Sequence, residues 1–137
     1  MIAAPAWCAS YIGIPFADHG RHRKTGVDCY GLLWLIYRDE LQIELPSYEE
    51  VYDQIRGEEK TISQHIVEAE QHWLRVDQPN PFDVVVLRVA GLPLHLGVVA
   101  APGLMIHTIK GCDVHLEEYS GPLWRNRLDG FFCYAKP

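Results

Sequence analysis

Thr25-Gly26-Val27-Asp28-Cys29-Tyr30-Gly31-Leu32-Leu33 is the stretch on which the reading of this chain turns. Ahead of it, Phe16 to Gly26 is polar and punctuated by glycine, which reads as a loop. From Asp28 onward the apolar residues Leu32, Leu33, Leu35, Ile36 and Leu41 recur with a helical period, and Pro46 lies beyond the end. Asp28 is a natural N-cap, because its carboxylate can accept from the unpaired amides of the first turn. Cys29 then sits in that first turn, where free N–H groups favour negative charge. A thiol of ordinary pKa, about 8.5, can be lowered to roughly 3.5–7.5 by such a helix start together with a histidine. The thiolate is the nucleophile of cysteine hydrolases when an imidazole is near enough to relay the proton. A buried structural cysteine can occupy the same position, and the helix alone does not decide between the two.

The remaining cysteines set Cys29 apart. Cys8 and Cys133 have apolar neighbours and read as core, while Cys112 follows Gly111 and reads as part of a turn. The four are widely spread without a Cys-x-x-Cys pair, so free thiols are expected. Pro5 suits the first turn of a short helix reaching about Tyr11. Ser47-Tyr48-Glu49-Glu50 opens a second short helix to about Arg56, and Ile62, Ile66, Ala69 and Trp73 space out a third over 61–74. This region carries much of the acidic surplus and reads as a solvated face, a cleft wall or a docking surface. After Pro79-Asn80-Pro81 the segments 82–89, 95–100, 105–109 and 131–134 are β-branched or aromatic and read as strands. Helices followed by strands predict an α+β domain, one domain over 1–137, with the Cys29 helix packed on an antiparallel sheet.

Two histidines bear on the cysteine. If Ala101-Pro102-Gly103 is a hairpin loop with Gly103 left-handed, Ala100 pairs with Leu104 and Gly97 with His107. His95 and His107 then share a face as diagonal neighbours, about 7–8 Å apart at the backbone. One imidazole can serve as base and acid while the second orients it. Zinc on His107, Cys112 and His115 is the rival reading; the spacing is poor and it would dismantle the histidine pair, so no metal and no cofactor are expected.

Length and composition agree with a small domain that needs no staples: 137 residues, 48% hydrophobic and 22% charged. A net charge of -6 argues against wholesale binding to nucleic acid or anionic lipid. The longest strongly apolar run, Leu32 to Tyr37, is far short of the roughly 20 residues that span a bilayer, so no membrane insertion is expected. The first residues lack the basic and apolar regions of a signal peptide.

Taken together, Tyr11 to Phe16, Thr25 to Leu33, Phe82 to Arg88, His95-Leu96-Gly97-Val98-Val99 and Met105-Ile106-His107 resemble the NlpC/P60 cysteine peptidases of papain-like fold, in particular the short type found with phage tails. The resemblance implies Cys29 as nucleophile, His95 as its base and His107 as the orienting residue. It implies hydrolysis of amide bonds in bacterial peptidoglycan stem peptides, commonly between D-γ-glutamate and a diamino acid. It also implies phage tail proteins as partners, and a place in the virion tail, or in the host cytoplasm before assembly, with action at the cell wall. Two positions depart from the pattern: Tyr30 stands where many members carry a substrate-contacting serine, and Phe16 where many carry tyrosine. The bulky Tyr30 is read as altered specificity. The resemblance gives Asp28 a second role, contact with a free amine of the stem peptide. Arg21 and Arg23, with Lys24, form a basic loop that could receive carboxylates or stay solvated, and Tyr11 could approach the cleft or belong to the core. The alternative functions are a non-catalytic tail-assembly protein and a papain-like amidase or acyltransferase on another substrate.

Overall fold

The structure, a computed structural model, describes residues 2–47 and 72–135. Pro5 precedes a 3-10 helix, Ala6–Ser10, in the place where the sequence suggests a short helix. The glycine-rich loop closes on itself through two short antiparallel strands, β1 (Arg21–His22) and β2 (Gly26–Val27). Helix α1 covers Cys29–Ile36 and runs on into a π-helical turn, Tyr37–Leu41. Its Leu32, Leu33, Leu35 and Ile36 are all buried, as are Tyr30 and Gly31, so this helix is enclosed on nearly every side. Trp34, partly exposed, donates its indole N–H to the Leu45 carbonyl at 2.9 Å.

Among the described residues six antiparallel strands follow: β3 (Trp73–Val76), β4 (Val84–Val89), β5 (Leu92–Ala101), β6 (Leu104–Ile109), β7 (Cys112–Glu118) and β8 (Leu128–Tyr134). They are ordered β3-β8-β4-β5-β6-β7, so β4 and β5 are central. Leu32, Leu33, Leu35 and Ile36 of α1 share a core with Val84, Val86, Leu96, Val98, Ala100 and Ile106 on one face of the sheet. On the other face Val85, Leu87, Val99 and Met105 pack with Tyr119 and Trp124 from the connection between β7 and β8. Burial on both faces explains why β4 reads as Val-Val-Val-Leu without polar alternation.

Two expectations need correction. Trp73 and Leu74, expected at the end of a helix, begin β3 and pair with Tyr134 and Cys133. Trp73 fits the period of Ile62, Ile66 and Ala69, but it is also an aromatic that packs against Tyr134 and Tyr37, and pairing with β8 prevails. The rest of that helix up to residue 71, the helix from Ser47 to about Arg56 and the acidic stretch between them lie outside the described residues, apart from Ser47 itself. The second correction is at the tip of the β5–β6 hairpin. Ala101, not Ala100, pairs with Leu104, so the loop is Pro102-Gly103 and the ladder shifts register between Val99 and Ala101. Gly103 is left-handed, with φ +84°. Past the shift the expected register holds: Val98 faces Ile106, and one step further Gly97 lies against His107.

Candidate active site

Asp28 caps α1 through Oδ1, which accepts from the Gly31 amide at 2.6 Å. The same oxygen accepts from Arg21 at 2.9 Å, and Oδ2 accepts from the His19 amide at 3.2 Å. Arg21 is only 2% exposed. It also donates to the Gly20 carbonyl and, through Nε and Nη2, to the Ser47 carbonyl at 3.1 and 2.7 Å. The pair fastens the loop and the segment after α1 to the start of the helix. Gly31 is required by the same packing, since a Cβ there would stand 2.0 Å from the Gly20 carbonyl oxygen.

Most of the substrate-contacting residues selected from sequence are therefore held inside the fold. Arg21 is turned inward and forms an ion pair with Asp28. Tyr30 is buried, donates its hydroxyl to the Pro46 carbonyl at 2.6 Å and lies under the Arg21 guanidinium. Tyr11 is fully buried and donates to Glu40 at 2.6 Å, with Arg23 over its ring. Arg23 is exposed, yet it is tied to the Ser10 carbonyl and to Asp39. Phe16 pairs by its backbone with Val27, two residues before Cys29.

Cys29 is the first residue of α1, half-buried against the core. The β5–β6 pairs end at Val98 and Ile106, and beyond them the Leu96 N–H is directed at the Cys29 sulfur. The cysteine thus meets β5 one residue from His95. The helix start does not produce a resting thiolate. Burial, and after it the Asp28 carboxylate, push the thiol up to about 12, against the lowering effect of the Leu96 and Tyr30 amides and of Arg21.

His95 and His107 share the sheet face covered by Trp124, and both are buried. His95 Nε2 lies 2.8 Å from His107 Nδ1, and His107 Nε2 lies 2.8 Å from Glu117 Oε1. A carboxylate only accepts, so His107 carries its proton on Nε2 and accepts at Nδ1. His95 must then donate from Nε2, which leaves its Nδ1 with the lone pair, the form of a general base. Trp124 donates to the same Glu117 oxygen at 2.8 Å and stacks on His95. Burial lowers His95 to about 3, helped by His107 and His115; burial and His115 lower His107 to about 4, opposed by Glu117. Both rings are neutral near pH 7. Gly97 makes room for the pair, because a Cβ there would stand 2.7 Å from the Met105 sulfur and 3.4 Å from the His107 Cβ.

Glu117 and Trp124 are the site residues that sequence reading misses. The signal for Glu117 is the alternation of Val114 and Leu116 with His115 and Glu117, which marks a strand with one polar face. Among the described residues, His107, His115 and Glu117 also bring potential metal-ligand atoms within 4.8 Å of one another, whereas Cys112 is exposed at the start of β7. No helix among the described residues is long and apolar enough to cross a membrane.

Comparison with known proteins agrees with this architecture. The NlpC/P60 domain of the peptidoglycan hydrolase SagA superimposes with a TM-score of 0.63 at 19% identity, over 93% of each chain. A protein similar to a lipoprotein, of the NLP/P60 family, from Staphylococcus aureus gives 0.65 at 18% identity over 95% of this chain. An NlpC/P60 family protein from Bacillus cereus gives 0.64 at 19% identity, also over 95%. This chain spans 39% and 40% of the length of those last two. No curated protein matches the sequence. The NlpC/P60 family profile matches residues 13–132, from the turn after the first helix into β8, and the chain belongs to the NlpC/P60 family.

Proposed function

We propose that this protein is a cysteine peptidase that hydrolyses amide bonds in peptidoglycan stem peptides, with Cys29 as nucleophile, His95 as base and acid, and His107 and Glu117 as positioning residues. The observations that carry the reading are the hydrogen-bonded series His95–His107–Glu117, with both bonds at 2.8 Å, and a cysteine at a helix start that meets β5 at the Leu96 amide, the residue after His95. Family membership supports the cell-wall substrate, as does the peptidoglycan hydrolase named among the similar structures. As the sulfur attacks the carbonyl carbon, its proton passes to His95 Nδ1, and the imidazolium is stabilised through His107 by the Glu117 charge. His95 returns the proton to the leaving amine, and water then hydrolyses the thioester. Backbone amides at the start of α1 are the donors available to the oxyanion.

The bond between D-γ-glutamate and a diamino acid is the scissile bond we favour, and the likeness to the short phage-tail type extends the proposal to a tail component acting at the bacterial wall. Incubating purified peptidoglycan with the wild type and with Cys29→Ala, then identifying released muropeptides by mass spectrometry, tests the reading. A product that depends on Cys29 is expected and names the bond. Equal absence of product from both proteins, across wall chemotypes, would reject peptidoglycan as the substrate.

A further inference from the structure

The lone pairs around Glu117 do not all have hydrogens to meet them. His115 Nδ1 lies 2.8 Å from the Asp113 carbonyl oxygen, which can only accept, so in the neutral ring the proton is on Nδ1 and Nε2 carries a lone pair. That lone pair faces Glu117 Oε1 at 3.7 Å, acceptor against acceptor. His107 Nε2 is 2.8 Å from the same oxygen, and the two imidazole centroids are 4.5 Å apart. The three residues come from neighbouring strands, with His107 opposite His115 and Glu117 two residues further along β7.

We propose that His107, His115 and Glu117 form a binding site for a divalent transition-metal ion of the zinc class, and that its occupation switches the hydrolase off. Two imidazoles and a carboxylate are an established zinc donor set, and bonds of about 2.0–2.1 Å in a tetrahedron separate donors by about 3.3 Å. The separations of 2.8 and 3.7 Å bracket that value. The side chains of His115 and Glu117 are 36% and 29% exposed, which gives them room to adjust and leaves the fourth position to water. The Asp113 carbonyl fixes the ring of His115 in the ligating tautomer, as partners behind a metal ligand commonly do.

The inhibitory part rests on the catalytic reading given above. A metal takes the lone pair of His107 Nε2, so the proton of that ring moves to Nδ1 and is donated to His95 Nε2. His95 then carries its own proton on Nδ1, the atom that must accept from Cys29. Each imidazole keeps one proton throughout, and Glu117 exchanges a hydrogen bond for a metal bond. The series of donors reverses, and the base is lost without any contact between metal and thiol.

Calorimetric titration with Zn²⁺ of a chain carrying Cys29→Ala and Cys112→Ser, which removes the nucleophile and the exposed thiol, tests the site independently of activity. One ion per chain is expected, with affinity reduced at least tenfold by a further His115→Ala or Glu117→Gln. Co²⁺ in the same protein should give the absorption of a tetrahedral nitrogen and oxygen site without a thiolate charge-transfer band. In muropeptide release by the wild type, Zn²⁺ should inhibit, and His115→Ala, active without metal, should need at least tenfold more for the same inhibition. Absence of binding to the chain carrying Cys29→Ala and Cys112→Ser, or equal binding after His115→Ala, overturns the site. Equal inhibition of wild type and His115→Ala overturns the switch. A chain that binds zinc but releases no muropeptide under any condition rejects the peptidase reading, and with it the switch, while leaving the metal site standing.

Discussion

Cys29 illustrates how burial can outweigh helix position. The helix start and two backbone amides favour the thiolate, but a desolvated sulfur next to Asp28 is held at about 12, and His95 is lowered to about 3. In the proposed mechanism the resting pair is therefore thiol and imidazole, not an ion pair, and the proton moves only as attack develops. The rate of Cys29 alkylation by iodoacetamide should rise about tenfold per pH unit from about pH 6 to pH 10, following the thiolate fraction. A plateau near neutrality would show a preformed ion pair instead. Glu117 acts one step further back: its charge fixes both tautomers, and in the proposed mechanism it stabilises the imidazolium. Glu117→Gln should lower kcat by roughly 10²-fold with KM little changed. A change confined to KM would place Glu117 in substrate binding.

At the scale of elements, the start of α1 depends on the buried pair of Asp28 and Arg21. Removing the carboxylate loses the cap and takes the Asp28 ion pair away from a guanidinium that is 2% exposed. Asp28→Ala should reduce the unfolding free energy by about 3–5 kcal/mol in denaturant titration. Adding Arg21→Met should recover part of it, because an apolar side chain of similar volume needs no counter-charge. If the single and double variants are equally unstable, the loss comes from the cap alone. The cap was legible in sequence, since Asp before an apolar helical period has few other readings. The partner was not, because Arg21 sits among exposed basic residues and only the folding of β1 against α1 carries it inside.

The whole molecule buries the sheet on both faces, and the second layer, built around Trp124, encloses two neutral histidines. Both rings bind protons less readily folded than unfolded, where their ordinary value is 6.5. The unfolded chain therefore takes up more protons on acidification. The stability due to keeping these rings neutral is complete above about pH 6.5 and is lost as pH falls through about 4 and then about 3. Thermal unfolding should show a lower Tm at pH 5 than at pH 7.5, and a variant carrying His95→Gln and His107→Gln should lose part of that dependence. An unchanged pH profile in the double variant would mean that carboxylates alone set the acid limit.

Sequence by itself determined the features that arise from local periodicity. The α1 period and its Asp28 cap placed Cys29 in a first helical turn, and the hairpin at Pro102-Gly103 put His95 and His107 on one face even though its tip is one residue tighter than expected. Tertiary structure alone decided the features that depend on what is packed over a residue. It drew Glu117 into the histidine series, turned Arg21 and Tyr30 inward, made Trp73 and Leu74 a strand and raised the Cys29 pKa. Hydrophobic period and capping act between residues a few positions apart, so they are written along the chain. Desolvation and buried charge pairing act between residues that only the closed sheet and its covering layers bring together.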